Sequence, residues 1–210
     1  MRIVFEGHLR PGWRVLDVGS ADGPSVGWLD ELGTRIAVDL DPRGLDKGGI
    51  CASGDRLPFG DKCIDCVSAF DVIEHFADEN SIVAELQRVL RPAGVLLISV
   101  PAYRWAWSGF DVRAGHHRRY TRGRVISLLR RHGFTIVRAT YAFAGTFPLF
   151  AVDRLRARAL GRRGEGVADS RLSPRAEEML MSLSKFDSRA LSRVNLPFGS
   201  SIFVVARKPA

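Results

Sequence analysis

The sequence predicts an α/β fold in which a sheet of parallel strands is covered by helices on both faces. Short apolar segments of strand length alternate with longer segments of helical spacing, and this alternation is typical of consecutive βαβ units. One strand runs directly into a turn of small residues, as ligand-binding α/β proteins often do. The chain has 210 residues, enough for one well-buried core, so we expect residues 1–210 to form a single domain.

The first strand and its turn carry the strongest signal for a ligand. Residues 14–18 are mostly apolar, as a buried parallel strand requires, and Asp17 lies near the carboxyl end. Gly19 and Gly23 follow, and glycine allows a backbone to turn sharply and to approach a ligand closely. Helical spacing over residues 25–32 would direct a helix N-terminus at that ligand.

The remaining elements follow from apolar runs and helix signals. The segment 79–90 has amphipathic helical spacing and ends before Pro92. The segment 121–132 has Thr121 as a candidate N-cap and Gly133 after its last turn. We also expect a helix at 42–47 and strands at 35–39, 50–53, 64–69, 94–100, 134–140 and 201–206.

Three motifs follow the turn in order. The second strand ends at Asp39, about 20 residues after the turn, where a carboxylate can bind a ribose diol. Residues 54–59 read Gly-Asp-Arg-Leu-Pro-Phe, and residues 70–75 read Phe-Asp-Val-Ile-Glu-His. A dinucleotide site would show the fuller Gly-x-Gly-x-x-Gly pattern instead. With these motifs, most of residues 12–140 resembles the class I S-adenosylmethionine-dependent methyltransferases, in particular their type 11 group of small-molecule enzymes.

The resemblance implies a Rossmann-like seven-stranded methyltransferase sheet whose last strand is antiparallel and inserts between the fifth and sixth. It implies S-adenosyl-L-methionine as the cofactor, with the turn at its methionine end and Phe70 beside its sulfonium. The family usually has glycine where this chain has Ala21, a departure that bears on cofactor affinity. The cofactor-binding residues implied are Asp17, Gly19, Ser20, Gly23, Asp39, Leu40, Asp55, Arg56, Leu57 and Phe70.

The segment 101–120 after the fifth strand is the expected substrate-side loop. A loop of this length with five aromatic side chains is uncommon without a function. Many type 11 relatives have a similar loop, with an Asp and a Gly-His-x-Arg-Arg-Tyr ending that matches Asp111 and residues 115–120. We expect acceptor binding by Tyr103, Trp107, Arg119 and Tyr120, although the aromatic residues are equally suited to form the loop's own core.

His116 is the candidate general base, because histidine titrates near neutrality and can accept a hydroxyl proton. Asp111 would orient it, and His75 would lie near the acceptor. The alternative is that the His116 region only holds the loop against the sheet. Ubiquinone-pathway O-methyltransferases use a similar Glu-His pair with a metal, but the pair at Glu74 is also the common type 11 pattern without metal. We therefore expect no metal, and the Cys63-x-x-Cys66 pair lacks the second pair of a zinc site.

Charge is distributed unevenly along the chain, whose net charge is +8. Residues 101–163 contain 14 basic and 2 acidic residues, whereas residues 1–100 contain 10 basic and 16 acidic residues. This asymmetry predicts a positive surface for an anionic small-molecule substrate, a phosphate or an anionic membrane. Peripheral membrane contact of the segment 141–163 is less favoured than packing, because Pro148 would interrupt a helix there.

The composition also indicates the cellular compartment in which we expect the protein. Three cysteines are too few for a disulfide framework, which favours a reducing compartment, the cytoplasm. The first residues lack the apolar core of a signal peptide. They are also short for the helical lid segment that related enzymes usually carry ahead of the first strand.

An insertion at 141–196 is expected to cap the substrate pocket, with a disordered stretch at 161–169 and a helix at 174–194. The resulting prediction is methyl transfer to a small molecule, with O-methylation of an acidic, glycosylated or secondary-metabolite intermediate favoured. One alternative is an RNA or protein methyltransferase, although the [Asp/Asn]-Pro-Pro-aromatic motif of base-amino methylating enzymes is absent after the fourth strand. A non-catalytic S-adenosylmethionine-binding partner subunit is the other alternative.

Overall fold

A seven-stranded mixed sheet forms the centre of the computed structural model, which describes residues 2–20, 25–45, 48–159, 183 and 187–210. The strands lie in the order β3-β2-β1-β4-β5-β7-β6, and β7 runs antiparallel between β5 and β6. The predicted methyltransferase sheet with its antiparallel last strand is therefore confirmed. Its strands are Trp13–Val18 (β1), Gly33–Asp39 (β2), Ile50–Cys51 (β3), Ile64–Phe70 (β4), Leu90–Pro101 (β5), Thr135–Ala142 (β6) and Ser201–Arg207 (β7).

The strand order creates a crevice at one edge of the sheet. The chain moves outward from β1 to β2 and β3, then returns to pair β4 with the other side of β1. The carboxyl ends of these parallel strands share one edge, and the order reverses between β1 and β4. Open α/β sheets bind ligands at such a switch point. The central strands are almost entirely buried and apolar, so the crevice has a rigid floor.

Two of the predicted helices are confirmed. In α2 (Glu79–Val89), the Asp78 side chain accepts from the N–H of Asn80, and the apolar face of the helix is buried. In α4 (Arg122–Arg131), Thr121 is the N-cap as expected and accepts from the N–H of Arg124. The other α-helices are the short α1 (Arg2–Phe5), α3 (Gly109–Arg113) and the longer α5 (Phe147–Ala159).

The expected α-helices at 25–32 and 42–47 are wrong in type and length. Both segments form 3-10 helices, at Gly27–Leu32 and Pro42–Gly44. The first begins late because Val26 is extended and the preceding Ser25 is held by the Asp17 carboxylate. In the second, Asp41 caps a single turn, and the chain is extended again at Leu45. The third strand is also shorter than predicted.

The expected insertion at 141–196 is only partly described. Its first two residues complete β6, and α5 follows. Pro148 does not interrupt that helix, because it is the second residue of α5, where its missing N–H has no intrahelical acceptor. Residues 187–191 are helical. The expected disordered stretch 161–169 and most of the expected helix 174–194 lie outside the described residues. Among the described helices, none combines the length and apolar character needed to cross a membrane.

Candidate active site

A cleft of about 380 Å³ lies at the carboxyl ends of β1, β2 and β4, where the switch point is. Three of the implied cofactor residues line it, together with the segment that follows β4. The lining residues are Val18, Gly19, Val38, Asp39, Leu40, Ala52, Ser53, Gly54, Asp71, Val72, His75 and Phe76.

The turn after β1 forms the floor of the cleft. Gly19 has a φ of +74°, and its N–H donates to the Val38 carbonyl at 2.8 Å. A Cβ atom at this position would lie 2.5 Å from Cγ2 of Val72, so the turn requires glycine. Ser20 is buried, and its hydroxyl has no hydrogen-bond partner among the described residues. A ligand that reaches this turn can therefore bind that hydroxyl. Gly23 and Ala21 lie outside the described residues.

Asp17 positions the turn instead of facing the cleft. Its carboxylate is buried and accepts from Ser25 N at 3.0 Å, from Ser25 Oγ at 2.7 Å and from Ser68 Oγ at 2.8 Å. Nη1 of Arg35 lies 3.6 Å away. These contacts fix where the chain leaves the turn, and this explains an acidic residue at the end of a buried strand.

The acidic residue at the end of β2 faces the cleft, as the resemblance implies. Asp39 lines the cleft, and its Oδ1 accepts from the N–H of Asp41 at 2.8 Å. The neighbouring Leu40 is 71% exposed. An apolar side chain this exposed at the rim of a cleft is suited to cover a planar ring such as adenine. The orphaned Ser20 hydroxyl, the tight Gly19 turn and Leu40 together fit S-adenosylmethionine.

Besides Asp17 and Ser20, four further implied cofactor residues do not line the cleft. Asp55, Arg56 and Leu57 follow directly on Gly54, which does. Asp55 accepts from the Ser53 hydroxyl, the Arg56 N–H donates to the Ser53 carbonyl, and the N–H of buried Leu57 donates to Glu85. Phe70 packs in the core against Phe5, at 5.5 Å between ring centroids.

Val72 and Phe76, which line the cleft instead, were missed by sequence reasoning. Their only signal was proximity to the motif at residues 70–75, because apolar residues after a strand usually join the core.

The structure brings the candidate base and its orienting carboxylate together. Nδ1 of His116 lies 3.0 Å from Oδ1 of Asp111, which also accepts from Nε of Arg119 at 2.7 Å. The second oxygen of Asp111 accepts from the N–H and the hydroxyl of Ser108. Burial alone would raise the pKa of Asp111, but the hydrogen bond and charge of Arg119 outweigh it and lower that pKa. The carboxylate therefore stays ionised and can hold the imidazole.

His75 and Glu74 complete a cluster around this dyad. The His75 and His116 rings meet edge-on with centroids 4.7 Å apart, and His75 lines the cofactor cleft. Burial, and then the charge of His116, lower the pKa of His75, so it is neutral at neutral pH. Glu74 is buried, neither of its carboxylate oxygens has a hydrogen-bond partner in the described part of the chain, and burial raises its pKa well above the usual range. The donor atoms of these three residues lie within 4.8 Å of one another, close enough to hold a metal ion.

Asp71 joins this cluster to the cofactor cleft. It has a φ of +54°, uncommon for a residue with a side chain, and its N–H donates to the Ser99 carbonyl at 3.0 Å. The residue is solvent-exposed at the cleft, and partial desolvation by the surrounding protein raises its pKa. Backbone strain of this kind is concentrated at functional sites.

A second, larger cleft of about 700 Å³ lies on the far side of this cluster. Residues 71–76 contribute to the first cleft and residues 77–80 to the second, so the segment after β4 separates them. Cationic side chains dominate the wall. The lining residues are Ala77, Asp78, Glu79, Asn80, Arg104, Trp107, His117, Arg118, Arg119 and Arg124.

Two of the expected acceptor residues line this cleft and two do not. Trp107 and Arg119 do. The hydroxyl of buried Tyr120 donates to Glu79 at 2.7 Å, so Tyr120 holds α2 against the loop. Tyr103 stacks on Tyr141 at 5.3 Å, and burial raises its pKa to about 12. These two aromatic residues therefore pack within the protein.

Replacing Asp111 with asparagine tests the electrostatic role of this carboxylate. The pKa of Asp111 is lower in the folded protein than in the unfolded chain, so the ionised carboxylate stabilises the fold. This stabilisation is complete above the unfolded pKa of about 3.9 and is lost as the pH falls through the folded pKa. We expect Asp111→Asn to lower the free energy of unfolding by about 3 kcal/mol at neutral pH, because buried Arg119 loses its partner. The difference in the free energy of unfolding between the unsubstituted protein and the variant should be smaller at acidic pH. Urea unfolding at about pH 7 and pH 3 measures it, and an equal difference at both values would contradict the ion pair.

The strand order, the tight glycine turn and the acidic residue at the cleft are features that the class I S-adenosylmethionine-dependent methyltransferase fold leads us to expect. A family model described as "Methyltransferase domain" matches residues 16–98. The chain is 31% identical over 152 residues to a probable S-adenosylmethionine-dependent methyltransferase of Mycolicibacterium smegmatis, covering 66% of this chain and 58% of that protein. It is 29% identical over 153 residues to an uncharacterized methyltransferase of Mycobacterium leprae, covering 67% of this chain and 55% of that protein. The chain is therefore similar to these methyltransferases, and it spans about half the length of these relatives.

A solved structure shows how widely this fold is used. The [4+2]-cyclase SpnF aligns with a TM-score of 0.60 and 22% identity, covering 99% of this chain and 80% of that chain. This likeness concerns the fold alone, because related folds host different reactions. The acceptor must therefore be argued from the site.

Proposed function

We propose that this chain transfers a methyl group from S-adenosylmethionine to an oxygen atom of a small anionic molecule. The observation that carries this proposal is the position of the dyad of Asp111 and His116. His116 contacts His75, which lines the cleft that fits the cofactor, and Asp111 binds Arg119, which lines the second, arginine-rich cleft. An acceptor in the second cleft would approach the cofactor past His75 and His116.

The dyad suits an acceptor that must lose a proton. S-adenosylmethionine supplies the methyl group and leaves as S-adenosylhomocysteine. The Asp111 carboxylate accepts a hydrogen bond from Nδ1–H of His116. Nε2 of the ring then keeps a lone pair that can take the hydroxyl proton. Arg119 holds Asp111 in place and ionised. In-line positioning and exclusion of water supply the rest of the catalysis.

The arginine-lined cleft supports an acidic acceptor, such as a carboxylate- or phosphate-bearing intermediate. Four arginines line it, against two carboxylates. One of those carboxylates, on Glu79, is already engaged by Tyr120, Arg118 and Arg124. Arg104 is exposed and has no side-chain partner among the described residues, so it can bind an anion directly.

Labelled methyl transfer tests this function. Methyl-labelled S-adenosylmethionine should label a component of the metabolite fraction that an anion exchanger retains, but not RNA or protein. Label in RNA or protein would favour that alternative and overturn the small-molecule proposal. Absence of label from every fraction, despite cofactor binding, would favour a non-catalytic partner subunit.

Arg104→Gln tests the anionic acceptor. We expect the KM for the labelled acceptor to rise about tenfold, because one charge-assisted hydrogen bond is lost. Arg130→Gln removes the same charge from an exposed position on α4 and serves as the matched control. An equal effect of the two substitutions would mean that only the net charge matters.

A further inference from the structure

Arg154 on α5 carries a charge that is largely buried without a hydrogen-bond acceptor. Its side chain is 12% exposed, and within the described part of the chain neither Nε nor Nη1 has an acceptor. Asp153 forms an ion pair with Nη1 at 3.7 Å, which is longer than a hydrogen bond. A buried charge carries a large desolvation penalty unless a partner compensates it.

Arg154 lies beside the wall of the arginine-lined cleft. Its Cζ atom is 5.1 Å from the centroid of the Phe150 ring, and Cζ of Arg119 is 5.9 Å from the same centroid. Arg119 also lines the cleft. The start of α5 is fixed on the substrate-side loop, because Phe147 packs against Tyr103 at 5.4 Å. Two guanidinium groups therefore share one aromatic ring next to the expected acceptor.

The hydrogen bonding around this ring is incomplete, although two carboxylates match the charge of the two guanidinium groups. Asp111 is the carboxylate that Arg119 binds, and it is also shared with His116 and Ser108. Burial, and then the positive charge of Arg119, lower the pKa of Arg154. An incoming oxyanion would supply the hydrogen-bond acceptors that Nε and Nη1 of Arg154 lack among the described residues.

We propose that Arg154 and Arg119 clamp an oxyanion of the methyl acceptor, a carboxylate or a phosphate. This proposal rests on the function proposed above and names a specificity residue for it. Arg119 alone already has Asp111 and the Ala102 carbonyl as acceptors. Arg154 brings two donor nitrogens, Nε and Nη1, that have no hydrogen-bond acceptor among the residues that the structure describes. Guanidinium groups are the usual partners of carboxylates and phosphates at sites that need defined geometry.

The sign of a stability change distinguishes this role from ordinary packing. If Arg154 awaits a ligand, Arg154→Met should raise the melting temperature of the free protein by about 2–4 °C, because a largely buried charge that is paired only at 3.7 Å is removed. If Arg154 already has a partner, the same substitution should lower it. Arg156→Met, at an exposed position on the same helix, is the matched control and should leave the melting temperature unchanged.

Anion binding gives the second readout. Inorganic phosphate and acetate, titrated separately, distinguish the two oxyanions, and the one that binds the clamp should raise the melting temperature of the unsubstituted protein. Arg154→Met should weaken that binding about tenfold, whereas Arg156→Met should not. Equal anion affinity in Arg154→Met, or a lower melting temperature without anion, would overturn the clamp.

Cofactor binding and methyl transfer, measured together, distinguish a failure of the clamp from a failure of the proposed function. S-adenosylhomocysteine should bind Arg154→Met as tightly as the unsubstituted protein, and a loss there would assign Arg154 to the cofactor carboxylate and overturn the clamp. Absence of methyl transfer to every fraction, with anion binding intact, would overturn the proposed function while leaving the anion site in place.

Discussion

Replacing Gly19 with alanine is expected to weaken S-adenosylhomocysteine binding about 100-fold, or about 2.7 kcal/mol. The new Cβ atom would lie 2.5 Å from Cγ2 of Val72, so the cleft floor or the segment after β4 must move. A side chain at a φ of +74° adds a backbone penalty of about 1–2 kcal/mol. Because Val72 also lines the cleft, relief of this clash deforms the cofactor site itself. Calorimetric titration of the folded variant measures the loss.

Gly133→Ala is the matched control for this result. Gly133 has a similar φ of +80°, but an added Cβ atom would meet nothing within 4 Å, and the residue does not line the cleft. It should lose about 1 kcal/mol of stability and keep full cofactor affinity. Combining Gly19→Ala with Val72→Ala should restore part of the affinity, because the clashing methyl group is removed. Normal binding by Gly19→Ala alone would show that the cofactor does not use this turn.

Replacing His116 with glutamine is expected to lower kcat for methyl transfer by about 10² to 10³, because the acceptor hydroxyl loses its proton acceptor. S-adenosylhomocysteine affinity should stay within about twofold, since His116 does not line the cofactor cleft. Single-turnover rates of the unsubstituted protein and of the variant, together with calorimetric titration of both, measure the two effects.

His8→Gln is the control for the histidine substitution, because His8 lies before β1 and lines neither cleft. It should keep most of the rate. A chelator should also leave the rate unchanged. A rate that depends on a divalent cation would show instead that Glu74, His75 and His116 hold a metal ion, and it would contradict the role of His116 as base.

The sheet was predictable because its signals are local. Buried parallel strands are apolar along their whole length, and β1, β4 and β5 keep that pattern. The two segments predicted as helices at 25–32 and 42–47 form 3-10 helices instead. In the first of them, a tertiary contact overrides the helical spacing. The hydrogen bonds from Ser25 to the Asp17 carboxylate determine how the chain leaves the turn, and no helical spacing reports them.

The candidate site was predictable in part for the same reason. The Asp and the Gly-His-x-Arg-Arg-Tyr ending identified Asp111 and His116 by their order in the loop, and the structure places them 3.0 Å apart. The roles of Tyr120 and Arg154 were not accessible from sequence. Each depends on a partner in a distant segment, Glu79 for the first and Phe150 with Arg119 for the second.

Titration of the folded protein with S-adenosylhomocysteine tests the central claim most directly. The account predicts saturable binding of one molecule per chain, competition by S-adenosylmethionine and a higher melting temperature in the presence of either. Protein that unfolds cooperatively but shows neither binding heat nor a shift in melting temperature with either compound would contradict it.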